Sequence, residues 1–180
     1  MDDYSIELDQ ETGFHCSLHL FTNIVNTSEI REKLIAGKLR CCMAKASLIT
    51  DVFQIVVAAN KAALNAHRDR LITKTVYTEI LFCLSMSKNI SRSLIEFGIS
   101  DNDKDILVIL LHKPSEEQAM LEEILTSVKG KKVPISKIQE FTNVDLVKKT
   151  YKIDKDELRA SSLTDAVVSR ISCKDFMLLK

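Results

Sequence analysis

The sequence predicts an α+β fold: a single domain, residues 1–180, in which several helices pack around a small, mostly antiparallel sheet. Three observations carry that prediction. Residues 14–21, Phe-His-Cys-Ser-Leu-His-Leu-Phe, alternate apolar and polar side chains over most of their length, as a strand with one buried face does. Residues 106–111, Ile-Leu-Val-Ile-Leu-Leu, form a short continuous apolar run that reads as a central strand. Around these two stand helical stripes with their own start and stop signals, and strands and helices do not alternate in βαβ order.

The elements follow in chain order. After the first strand, Asn26 or Ser28 can cap a helix that runs to Ala36 and stops at Gly37. Residues 38–50 read as a connection. A helix covers 51–67: Asp51 can cap it, with Gln54 three residues on as in a capping box. Its apolar stripe is Val56, Ala59, Ala63 and His67, while Gln54, Lys61, Asn65 and Arg68 project from another side. A basic turn follows, with Arg68, Asp69, Arg70 and then Lys74. Residues 75–84 favour strand by β-branched and aromatic content, yet Tyr77, Ile80 and Leu84 also fit a helical stripe. Asn89 caps a short helix from Ile90 to Phe97, and Gly98 suits the position after it. Beyond the apolar strand, Pro114, Ser115 and Gln118 mark a sharp helix start, with Leu121, Ile124, Leu125 and Val128 as its stripe and Gly130 as its end. Residues 131–135 suit an edge strand, where Pro134 is tolerated. A short helix near 143–150 precedes a final helix capped by Ser162 and Asp165, with Leu163, Ala166, Val167, Arg170 and Ile171 as its stripe.

Composition narrows the function. The chain is 46% hydrophobic and 28% charged, with two prolines and four glycines, an ordinary balance for a folded domain large enough to bury its own core. Its formal net charge is zero, so any attraction for nucleic acid must be local. No uncharged apolar run reaches the length of a membrane span. The acidic N-terminus (Asp2, Asp3, Glu7, Asp9, Glu11) has the wrong sign for a leader. Five cysteines without a Cys-x-x-Cys fit reduced thiols in the cytoplasm and nucleus, with Cys83 and Cys173 as core residues.

No catalytic or metal constellation stands out. The four glycines are too scattered for a dinucleotide or phosphate loop, and the kinase motif set is absent. His15 and His19 share the polar face of a strand with Ser17, without a nearby carboxylate at ligand spacing. His67 closes a helix beside its C-terminal dipole, and His112 ends a strand as a boundary residue. No cofactor is expected. Two basic patches remain: Lys61, Arg68, Arg70 and Lys74, and Lys129, Lys131, Lys132 and Lys137. Such patches are ordinary solvated surface or phosphate contacts to RNA, for which Gln54, Asn60 and Asn65 could add amides.

The run Asp51-Val-Phe-Gln-Ile-Val-Val-Ala-Ala-Asn-Lys-Ala62 resembles the signature helix of the TPRKB family, the small kinase-binding subunits of the KEOPS (EKC) complex. Thr78-Glu-Ile-Leu-Phe-Cys-Leu-Ser85, Asn89-Ile90, Phe97-Gly-Ile-Ser100 and Val147-Lys-Lys-Thr-Tyr151 are similar to family motifs in the same order; Val52 departs from a common proline. The resemblance implies that residues 75–84 are helical. It also implies a non-catalytic subunit whose partner is the atypical kinase/ATPase of a complex that makes threonylcarbamoyladenosine in tRNA, with the remaining subunits as indirect partners and no membrane. Archaeal members hold the tRNA 3′ CCA end, which points to Lys61, Asn65, Arg68, Arg70 and Lys74 as RNA-binding residues. For the kinase interface the expected residues are Tyr151, Leu163, Val167 and Ile171. Competing expectations are a small hydrolase or transferase with a non-motif site, and a general adaptor that binds no RNA.

Overall fold

The computed structural model describes residues 4–177. In chain order the elements are β1 (Tyr4–Glu7), β2 (His15–Thr22), α1 (Thr27–Ile35), β3 (Cys42–Lys45), α2 (Val52–His67), α3 (Val76–Leu84), α4 (Ile90–Phe97), β4 (Ile106–His112), α5 (Glu117–Ser127), β5 (Lys131–Val133), α6 (Ile138–Phe141), α7 (Val144–Tyr151), α8 (Glu157–Ala160) and α9 (Leu163–Met177). Single 3-10 turns stand at Ala46–Leu48 and Ile135–Lys137. The strand order is β1-β2-β4-β3, and β5 pairs with Leu20–Thr22 of β2, past the His15–Leu18 stretch that pairs with β1. The described pairings are antiparallel, so the α+β architecture is the one expected.

Alternation of side chains sends each strand's residues to two cores. One face carries Leu18, Leu20, Cys42, Ala44, Leu107 and Ile109 beneath α2, α3, α7 and α9. The other carries Phe21, Met43, Ile106, Val108 and Leu110 beneath Ile30 of α1 and Met120 and Ile124 of α5. The single buried face expected for β2 is therefore corrected to two: every residue from Cys16 to Thr22 is buried, because helices cover both sides of the sheet. The polar residues of the strand, Ser17 and His19, face inward with Phe21 rather than toward solvent.

Local signals placed most helix starts. The Asp51 side chain accepts from the Phe53 amide at 2.9 Å, Asn89 from Arg92 at 2.9 Å, Asn143 from Leu146 at 3.0 Å, and Ser162 from Asp165 at 3.0 Å. Residues 76–84 form a helix with a capping box between Thr75 and Thr78. Asn26 precedes α1, and Gly37 follows it at φ +67, where a side chain would be strained. Gly98 is required for another reason: its φ is −69, but a Cβ there would lie 2.4 Å from the Leu94 carbonyl oxygen.

Several expectations are corrected. Residues 38–50 hold β3 and a 3-10 turn, not merely a connection. The acidic N-terminal segment contributes β1. The buried side of α2 is Gln54, Ile55, Ala58, Ala59, Ala62 and Ala63; His67 is exposed and Val56 half-buried. In α5, Met120 joins Ile124 inside and Leu125 stands 48% exposed. Cys173 is exposed, not a core residue, whereas the other four thiols are buried.

Candidate functional site

The polar centre of the molecule lies where α2, α3 and α7 meet. Gln54 is buried, although its type and helical position suggested an exposed amide. Its Oε1 accepts from the Thr50 amide at 2.8 Å and the Thr50 hydroxyl at 3.0 Å. Its Nε2 donates to the Leu48 carbonyl and to the Tyr151 hydroxyl, each at 3.1 Å. Tyr151 in turn donates to the Leu84 carbonyl at 2.7 Å, and its ring meets Phe97 edge-on at 5.9 Å. Burial pushes the Tyr151 phenol far above its ordinary value. All polar atoms of this cluster are satisfied, so it serves as an internal clamp.

The residues expected at the kinase interface divide between the core and the surface. Tyr151, Val167 and Ile171 belong to the core beneath α9, with at most 1% of their surface exposed. Of the four, Leu163 alone reaches the surface in part. The solvent side of α9 presents Ser172, Cys173 and Phe176, the last 74% exposed. Ser172 also lines a hollow of about 470 Å³ with Phe53, Val56, Val57 and Asn60 of α2, and Phe53 is 54% exposed. The hollow is also lined by Glu7, Leu8, Asp9 and Lys61, and Phe176 lies one turn beyond Ser172 on the same side of α9.

The five expected RNA-binding residues divide into two groups. Lys61 is an internal strut: its ammonium donates to the Ile171 carbonyl at 2.9 Å and pairs with Asp175 at 3.0 Å. Asn65 donates to Glu79 at 3.0 Å, and Arg68 pairs with Glu11 at 2.9 Å. Arg70 and Lys74 are exposed, and among the described residues neither has an ion-pair partner. The loop that displays them is closely held. Asp69 takes a left-handed conformation (φ 51), and the Arg70 amide donates to Asn65 O at 2.8 Å. The buried Glu79 carboxylate accepts from the Ile72 and Thr73 amides at 3.2 and 2.8 Å and from the Thr73 hydroxyl at 2.8 Å. Asn60 accepts from the Asp9 amide at 2.8 Å. In the second basic patch, Lys129 lies 3.7 Å from Glu29 and Lys137 3.9 Å from Glu140.

One cluster tests the hydrolase expectation. Ser17 Oγ lies 2.7 Å from His112 Nε2 and 2.5 Å from Glu117 Oε1, a grouping of serine, histidine and carboxylate that the sequence did not foreshadow. His112 is buried rather than a boundary residue. The order is wrong for a nucleophilic triad. Glu117 holds the serine, while His112 Nδ1 meets the Lys113 carbonyl at 3.0 Å; in a triad the carboxylate would orient the imidazole. Ser17 is itself inaccessible. Burial also pushes the thiols of Cys16, Cys41 and Cys83 up to about 12 and that of Cys42 well above its usual range, which suppresses the reactive thiolate. Among the described residues no group of three or more His, Cys, Asp or Glu side chains could hold a metal ion, and no helix is long and apolar enough to cross a membrane.

Comparison with known proteins finds relatives that are subunits of a protein complex. It is 35% identical over 156 residues to the EKC/KEOPS complex subunit TPRKB of Danio rerio, which covers 87% of this chain and 89% of that protein. It is 33% identical over 142 residues to the EKC/KEOPS complex subunit CGI121 of Kluyveromyces lactis, covering 79% of this chain and 87% of the relative. With the subunit CGI121 of Candida glabrata the identity is 27% over 169 residues, covering 93% and 94%. The model of the family described as kinase binding protein CGI-121 matches residues 21–175, and the chain belongs to that family.

Proposed function

We propose that this protein is a non-catalytic subunit of an EKC/KEOPS complex that binds the complex's atypical kinase/ATPase and supports threonylcarbamoyladenosine modification of tRNA. Family membership across residues 21–175 carries the reading. The kinase surface is the solvent side of α9 with the adjoining face of α2, centred on Phe53 and Phe176 and bordered by Leu163. Exposed aromatic side chains are the residue type that anchors interfaces. Affinity for the purified kinase subunit, measured by titration calorimetry, drops at least tenfold in Phe53→Glu/Phe176→Glu. Unchanged affinity in that folded variant removes this face from the interface.

The same subunit contacts tRNA, in the reading that its family supports, at the 3′ CCA end. Arg70 and Lys74 make the phosphate contacts, while Lys61, Asn65 and Arg68 shape the surface that carries them. Arg70→Glu/Lys74→Glu weakens tRNA binding and lowers the slope of log K against log salt by about two. A mobility shift that is the same with and without the terminal nucleotides argues against the CCA contact. No shift at all leaves a protein adaptor without an RNA role.

A further inference from the structure

A groove of about 520 Å³ separates the end of α1 and the Leu39–Met43 segment from α3 and α4. Its lining is chiefly apolar, with Leu34, Leu39, Met43, Leu81, Leu94 and Ile99. Ile35 and Ile95, which also line it, are 77% and 74% exposed. Exposed apolar residues scattered singly need no explanation, but two of them bracketing one apolar groove mark a contact surface. The wall formed by α4 is fixed in place, because Lys45 Nζ donates to the carbonyls of Ile95 and Glu96 at 2.9 and 3.3 Å.

The charge at the groove defines the occupant. β3 is an outer strand bridged at Ala44 by Gly98, and Cys41, Cys42 and Met43 form the floor of the groove with at most 3% of their surface exposed. Arg40 lines the groove, is exposed, and has no ion-pair partner among the described residues, whereas Arg31 is held by Asp101 at 3.2 Å. One uncommitted cation among aliphatic walls suits a peptide with a single carboxylate better than a run of phosphates, each of which would call for its own cation.

We propose that this groove docks an acidic–apolar segment of a second protein, with an aliphatic side chain between Ile35 and Ile95 and a carboxylate on Arg40. The groove and the hollow between α2 and α9 share no lining residue, so both can be filled at once. The inference thus goes beyond kinase binding and gives the subunit a second protein contact.

The test is selection of a random dodecapeptide display library on the full chain, run in parallel on Arg40→Glu and Ile95→Glu. The changed residues are exposed, and thermal unfolding confirms that the variants fold. The wild-type selection should enrich peptides with Asp or Glu next to Ile, Leu or Val. Those peptides should bind Ile95→Glu and Arg40→Glu at least tenfold more weakly and shift the amide resonances of residues 39–43. The Arg40→Glu selection should instead enrich Lys or Arg at the acidic position. The proposal is overturned if no enriched peptide depends on these residues, or if enrichment ignores charge. It is equally overturned if a single-stranded oligonucleotide displaces the peptides by occupying the groove, or if either variant loses the kinase.

Discussion

Tyr151, expected at the kinase interface, lies buried in the structure and is part of an internal hydrogen-bond network. Its place in a family-like motif marked it as important, and an aromatic residue suits an interface. In the structure its hydroxyl joins Gln54 to the Leu84 carbonyl, at the C-terminal end of α3. Tyr151→Phe leaves the ring packing intact but removes a buried donor, so it should cost about 1–3 kcal/mol in denaturant unfolding. Kinase affinity of the folded variant should be unchanged. Glu79 invites a parallel test. Its carboxylate accepts from two backbone amides and two side chains that hold the loop before α3. Glu79→Gln replaces one acceptor oxygen with a donor facing other donors. The expected cost is about 2–3 kcal/mol, with faster amide exchange at Ile72 and Thr73 than in the wild type. Equal exchange rates in the two proteins would show that Glu79 does not organise this loop.

At the scale of elements, legibility followed locality. Asp51, Asn89 and Ser162 were readable as caps because a cap is settled within four residues, and Asn143 caps its helix in the same way in the structure. The helix α3 was ambiguous from its residues alone, since β-branched and aromatic side chains fit a strand equally well. The Thr75–Thr78 capping box and packing against α2 decide it as helix. β3 escaped notice because four residues, Cys-Met-Ala-Lys, carry no alternation strong enough to mark a strand. It exists because β4 offers it an edge. The face of α2 was misjudged for the same kind of reason. Periodicity yields a stripe, but a buried amide with a complete set of partners is indistinguishable in sequence from an exposed one. The candidate site inherits this limit: Lys61 and Arg68 were legible as basic, while the carbonyl and the carboxylates that occupy them lie far away along the chain.

For the whole molecule, the buried thiols and one buried amine set the response to alkali. Lys174 lies over the Phe82 ring at 3.4 Å and donates to the Phe82 carbonyl, yet burial pulls its ammonium down to about 8. Between that value and the ordinary 10.5 the unfolded chain holds the proton more tightly, so this group adds stability as pH rises. The thiols act in the opposite sense. Cys16, Cys41 and Cys83 are raised from 9.0 to about 12, and Cys42 further, so above pH 9 the unfolded chain loses protons that the folded chain keeps. Their stabilisation is full below pH 9 and declines above it, and four thiols outweigh one amine. Thermal midpoints should therefore rise slightly from pH 7 to about 8.5 and fall beyond pH 9, as scanning calorimetry across that range would register. A midpoint still climbing at pH 10 would mean that the thiols are not protected. Sequence by itself determined the fold class, the capped helices, the central apolar strand, the kinship of the chain and the absence of a recognisable catalytic motif, because each is written in neighbouring residues or in ordered motifs. Tertiary structure alone decided that helices cover both faces of the sheet, that Tyr151, Val167 and Ile171 lie inside, and that Lys61 is engaged by Ile171 and Asp175 while Arg70 and Lys74 are exposed. Burial and charge pairing are properties of residues brought together from distant positions, and no local pattern encodes which of them will meet.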